Sequence, residues 1–193
     1  MNPSWIAGIL SAIIVLSQLF YRSFFFRLMK RRTVFLLTIV GIMELALVYV
    51  SLRQYYTWSS HASGLLPPYT PLSYFIGYIA THLWLPYVIS ALLAFIWWAG
   101  MRFLNARHEN RFFYEDEFVF APLALFLVGY PGALLFIVLF LLLYVLWSLW
   151  HTVWHGEQER VSSHYLWIPL ALCVILVQEL YAAHLSWWGL LKI

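Results

Sequence analysis

Three adjacent carboxylates, in Tyr114-Glu-Asp-Glu117, stand directly before an apolar run that closes on Gly129-Tyr-Pro-Gly132, and Asp116 is the only aspartate in the chain. Neighbouring carboxylates repel, which favours keeping a proton on one of them. A carboxyl that holds its proton near neutrality can serve general acid–base chemistry. The same residues could simply open a helix, where negative charge in the first turn opposes the dipole. Glu115, Asp116 and Glu117 are therefore the candidate catalytic group. His151 and His155 are spaced i, i+4 and share a helix face, a spacing that holds a metal or haem iron when further ligands join it. The segment reads His151-Thr-Val-Trp-His155 and lacks the general-base glutamate of an HExxH site. Hydrated imidazoles at a helix end are the simpler reading, and no cofactor is expected.

A second set lies inside apolar runs: Glu44, His82, Glu179 and His184. Glu44 sits in the middle of a hydrophobic stretch, where a charge costs at least ~2.5 kcal/mol to insert into lipid. It must be protonated, paired within a bundle, or functional. His82 and His184 are possible partners. Were all four to converge, they would form a proton- or ion-handling set, as in a non-enzymatic subunit of a transporter or respiratory complex.

What must position these groups follows from composition. The chain has 193 residues, 64% hydrophobic and 10% charged, with a mean hydropathy of +0.81. Soluble domains carry about 25% charged residues, so a soluble globule, a disordered chain and a nucleic-acid binder are all excluded, and the expected solvent is the lipid bilayer. About 20 apolar residues cross ~30 Å of hydrocarbon. The runs predict an all-α, polytopic transmembrane bundle of about six helices in one domain, 1–193, with spans near 6–21, 33–52, 72–103, 118–130, 133–150 and 165–191, the last interrupted by Gln178 and Glu179. The run 72–103 is too long for one upright helix. His82-Leu-Trp-Leu-Pro86 in its middle predicts a Pro-kinked tilted helix or a tight pair of short ones. Continuous apolar runs, without two-residue alternation, argue against a β-barrel.

The net charge of +3 reflects topology rather than nucleic-acid binding: five basic residues fall between Arg22 and Arg32. With an outside N-terminus and each run a single span, the inside loops hold five, three and one basic residues against two outside, Arg53 and Lys192. Trp58, Trp97, Trp98, Trp147, Trp150, Trp154, Trp167, Trp187 and Trp188 cluster near the segment ends, as interface anchors do. Cys173 is the single cysteine, so no intrachain disulfide or thiolate zinc site is expected. No basic region precedes the first apolar run, and no removable signal peptide is expected.

From Ser51 onward, three ordered patches resemble the type IV prepilin peptidases, intramembrane aspartyl proteases that trim pilin leader peptides. Ser51-Leu-Arg53, followed by Pro67 and Pro68, resembles the family's Asp-Leu-Arg motif. Tyr114-Glu-Asp-Glu117 with Phe118–Val128 and Gly129–Gly132 resembles its Gly-x-Gly-Asp helix and closing turn. Arg160 to Pro169 resembles the start of its last helix. The resemblance implies an aspartic-type endopeptidase of the bacterial cytoplasmic membrane with a role in pilus or secretion assembly. Its partners would be a pilin-like leader helix or other membrane subunits. Two aspartates must share a proton in that chemistry. Ser51 occupies the first position and Glu117 the second, or Asp116 if the register slips by one. The resemblance therefore implies a degenerate relative that binds a leader helix without cutting it. It also demands that Ser51 and Glu117 face one another.

Overall fold

The computed structural model of the chain describes residues 3–20, 31–60, 66–67, 70–109, 112–155, 163 and 166–180, with only the backbone of His155 described. Six helices and no strand occur among them: α1 (Pro3–Phe20), α2 (Arg32–Ser60), α3 (Leu72–Arg107), α4 (Glu117–Val128), α5 (Gly132–His155) and α6 (Trp167–Leu180). Arg160, His184, Lys192, Trp187 and Trp188 lie outside the described residues.

Four of the helices are long and apolar enough to cross a membrane: α1, α2, α3 and α5. The other two are shorter over the described residues. At 1.5 Å per residue, the 12 residues of α4 and the 14 of α6 rise only about 18 and 21 Å. The run read as a span near 118–130 is therefore a short internal helix. Val119, Phe120, Ala121, Leu123, Ala124, Leu125, Leu127 and Val128 are all buried, and α4 packs against α1, α2, α3, α5 and α6. A helix apolar on every side belongs in the interior, and α4 forms the hub.

The long run 72–103 resolves into one helix and not a hairpin. Ala80–Trp84 is a π-helical turn, closed by the Leu85 N–H donating to the Ala80 carbonyl. Pro86 follows at once. A proline has no N–H and its ring crowds the carbonyl four residues back; the wider turn relieves that crowding while the helix continues. Beyond it, Tyr55 and Trp58 on α2 meet Tyr74, Phe75 and Tyr78 on α3 in ring contacts of 5.0–6.1 Å. The two longest helices are thus joined where they extend past the bundle.

Specific contacts fix the directions of α1, α2, α3, α4 and α6, and α5 follows α4 through the Gly129–Gly132 turn. Ser4 at the start of α1 bonds Glu179 at the end of α6. Arg32 at the start of α2 pairs with Glu115 before α4. Asn105 at the end of α3 also holds the segment before α4, and Ser163 before α6 bonds Glu117. The helices alternate up and down through the bundle. Arg31, Arg32, Arg102 and Arg107 fall toward one end, and Arg53 toward the other. This is the alternation the charge count favours.

The core stacks aromatic rings between helices. Trp167 of α6 lies face to face with Phe140 of α5 at 3.7 Å, and edge-on to Trp97 of α3 at 6.2 Å.

Candidate functional site

The basic end is built around Glu117. It is 1% exposed, and three groups donate to its carboxylate: the Ser163 N–H at 2.9 Å and Ser163 Oγ at 2.7 Å to Oε1, and the Tyr114 N–H at 2.9 Å to Oε2. The last contact spans three residues like a capping box, but it satisfies the Tyr114 N–H just ahead of the helix, whose N-cap is Asp116. Asn105 completes the frame. Its Oδ1 accepts from the N–H groups of Phe112 at 3.1 Å and Phe113 at 2.8 Å, and its Nδ2 donates to the Phe113 carbonyl at 2.8 Å. One buried amide and one buried carboxylate thus hold the ends of α3, α4 and the residue before α6 together.

The three adjacent carboxylates do not act as a group. Glu115 projects outward, with its side chain 82% exposed, and accepts from Arg32 at 2.8 Å; Asp116 lies 3.5 Å from the same guanidinium. Only Glu117 turns inward. A helix start separates successive side chains by about 100°, so adjacency in sequence scatters them in space.

The other end is held by Gln178. The side-chain orientation that satisfies its surroundings accepts from the Gly132 N–H at 3.0 Å and donates to the Val128 carbonyl at 3.2 Å. It thereby bridges the break between α4 and α5. Gly132 leaves it just enough room, because a Cβ there would overlap the Gln178 amide. Gly129 has φ +70°, with the Tyr87 ring beside it, and the Tyr130–Pro131 peptide is cis. The Tyr130 N–H donates to the Pro86 carbonyl at 3.2 Å, tying the turn to the π-helical region of α3.

Ser51 belongs to this second end. Its hydroxyl donates to the Leu47 carbonyl at 2.8 Å and accepts from Trp84 Nε1 at 3.3 Å, two residues before Pro86. Glu117 stands at the opposite end of α4, about 18 Å along the bundle. Ser51 and Glu117 do not face one another, and they form no pair.

Of the second polar set, His184 lies outside the described residues, and Glu44, His82 and Glu179 have different surroundings. His82 is exposed, stacked on Tyr78 at 4.4 Å, with Nδ1 2.8 Å from Thr81 Oγ1 and 3.1 Å from the Tyr78 carbonyl. Glu179 accepts from Ser4 Oγ at 2.6 Å. Glu44 is exposed on the outer side of α2. No group of three or more metal-ligating side chains occurs among the described residues, and the His155 side chain lies outside them.

Sequence reasoning missed Asn105 and Ser163. The Glu117 reach-back to Tyr114 has the spacing of a capping box but not its Ser or Thr partner, so the pattern is hidden. Gln178 stood out only as a polar break in the last run.

The fold and its apolar exterior define an all-α integral membrane protein. No protein family, no curated protein and no solved structure matches the chain.

Proposed function

We propose that this protein is a helix-docking subunit of a bacterial cytoplasmic membrane that binds a pilin-like leader helix and does not cut it. The observation that carries the non-cleaving part is the separation of Ser51 from Glu117 by the length of α4. Acid–base cleavage by paired carboxyls needs both groups at one scissile bond. Here the second position is committed to three donors and buried, so it locks the bundle where a protease would hold water. The basic end carries Arg31, Arg32, Arg102 and Arg107, the pattern of a cytoplasmic face, and Glu115 and Asp116 are displayed on it. A leader with basic residues would meet these two carboxylates on entry. The proton-handling alternative requires Glu44, His82 and Glu179 to converge, and their separate surroundings speak against it.

The test mixes the purified full chain in detergent with a pilin precursor. The expected result is a stable complex containing intact precursor, weakened in Glu115→Gln combined with Asp116→Asn. Cleavage that survives Ser51→Ala and is lost in Asp116→Asn would overturn the non-cleaving reading. Absence of any complex would overturn the docking reading.

A further inference from the structure

The outer side of α2 carries a pattern that its own bundle does not use. The inward stripe of α2 is Phe35, Ile39, Met43, Ala46 and Leu47. On the other side, Val34, Leu37, Gly41, Glu44 and Val48 recur at three- and four-residue intervals, the heptad spacing of a helix–helix seam. Leu37 is 66% exposed and Val34 58%, and Glu44 is exposed between them and Val48.

Two members of this seam have no explanation among the described residues. Glu44 has no hydrogen bond or ion pair with any described residue, yet it stands 12 residues from Arg32 and seven from Ser51, in the middle of the span. An unpaired carboxylate facing hydrocarbon is strongly disfavoured, and such residues in membrane helices find partners. Gly41, one turn earlier, is unfavourable in a helix interior. A Cβ built on it meets nothing within 4 Å, so the bundle does not need a glycine there. Small residues on an outer face let a second backbone approach closely. The glycine supplies the approach and the glutamate the bond.

We infer that the Val34–Val48 seam of α2 docks a transmembrane helix of a partner protein that carries a lysine or arginine at mid-bilayer depth, paired with Glu44. Opposite charge is the complement that makes burial of a lone carboxylate favourable, since each ion removes the other's need for water. The glycine gap at Gly41 lets the partner's backbone sit close enough for a long basic side chain to fold along α2 onto Glu44. The inference stands whether or not that partner is pilin-like.

The test co-reconstitutes the labelled full chain in phosphatidylcholine vesicles with synthetic 23-residue Leu/Ala helices bearing Lys, Leu or Glu at the midpoint. Energy transfer between protein and peptide reports binding. The Lys helix should bind about tenfold more tightly than the Leu helix, and the Glu helix no better than the Leu helix. The Lys preference should vanish in Glu44→Leu and weaken in Gly41→Leu. Unchanged size-exclusion elution and Trp emission would show that both variants fold. Because Glu44 and Gly41 lie outside the core, a misfolded Glu44→Leu would itself contradict the outward seam. Equal binding of the Lys and Leu helices to the unmodified protein would overturn the inference, as would a Lys preference that survives Glu44→Leu. Self-association of differently labelled copies, lost in Glu44→Leu, would assign the seam to a second copy instead. Precursor binding that fails while the Lys helix still binds would remove the leader-helix reading and leave this one intact.

Discussion

Glu117 and Ser163 are joined by two hydrogen bonds to one carboxylate oxygen, from the serine N–H and from its hydroxyl, across 46 residues of sequence. The pair ties the start of the central helix α4 to the residue that leads into α6. Since α4 touches all five other helices, a contact that fixes its start fixes the bundle.

Glu117→Ala should therefore lower stability by about 3 kcal/mol, because it leaves three donors without their acceptor in a buried site. Glu115→Gln, only two residues away, should change stability by less than about 0.5 kcal/mol. Thermal unfolding of both variants in detergent measures the contrast. Comparable losses would show that the three carboxylates act together after all.

Gly132 and Gly41 should respond oppositely to alanine. Gly132→Ala must displace the Gln178 amide and should cost about 1–3 kcal/mol. Gly41→Ala meets open space and should be neutral or stabilising by up to about 1 kcal/mol in the isolated protein. Unfolding midpoints of the two variants check this directly.

Gln178→Leu keeps the size of the side chain but leaves the Val128 carbonyl and the Gly132 N–H without partners at the α4–α5 break. A loss of about 1–3 kcal/mol is expected. Hydrogen exchange at Gly132 and Ala133 should accelerate, while exchange around Tyr114 stays as it was.

Asn105→Ala removes three hydrogen bonds to Phe112 and Phe113. The segment between α3 and α4 should then be cut faster by added protease, near Phe112. Arg32→Ala, which loses only the solvent-facing contacts with Glu115 and Asp116, should cost less than about 1 kcal/mol and leave the cleavage rate unchanged.

Ser51→Ala loses only the bond from Trp84 Nε1 and the hydroxyl's contact with Leu47. It should cost about 1 kcal/mol and leave precursor binding at the basic end unaltered. A large effect on that binding would mean that the two ends of the bundle are coupled.

The sequence by itself determined the solvent and the class of fold. An excess of apolar side chains over charges admits only lipid, and backbone groups in lipid must close their hydrogen bonds within helices. It also marked the polar break at Gln178 and the disturbance before Pro86, because a proline and an amide within an apolar run are local chemical facts. Tertiary structure alone decided what the acidic groups face. Glu115, Asp116 and Glu117 are neighbours along the chain, but the turn into α4 sends one inward to Ser163 and two outward to Arg32. Glu44 reads as a candidate for the interior, but the stripe Phe35–Leu47 that packs inward leaves it on the outside. Direction around a helix axis is set by which stripe is buried. When nearly every residue of a span is apolar, the pattern of side chains does not reveal that stripe, and only the packing of the other helices selects it.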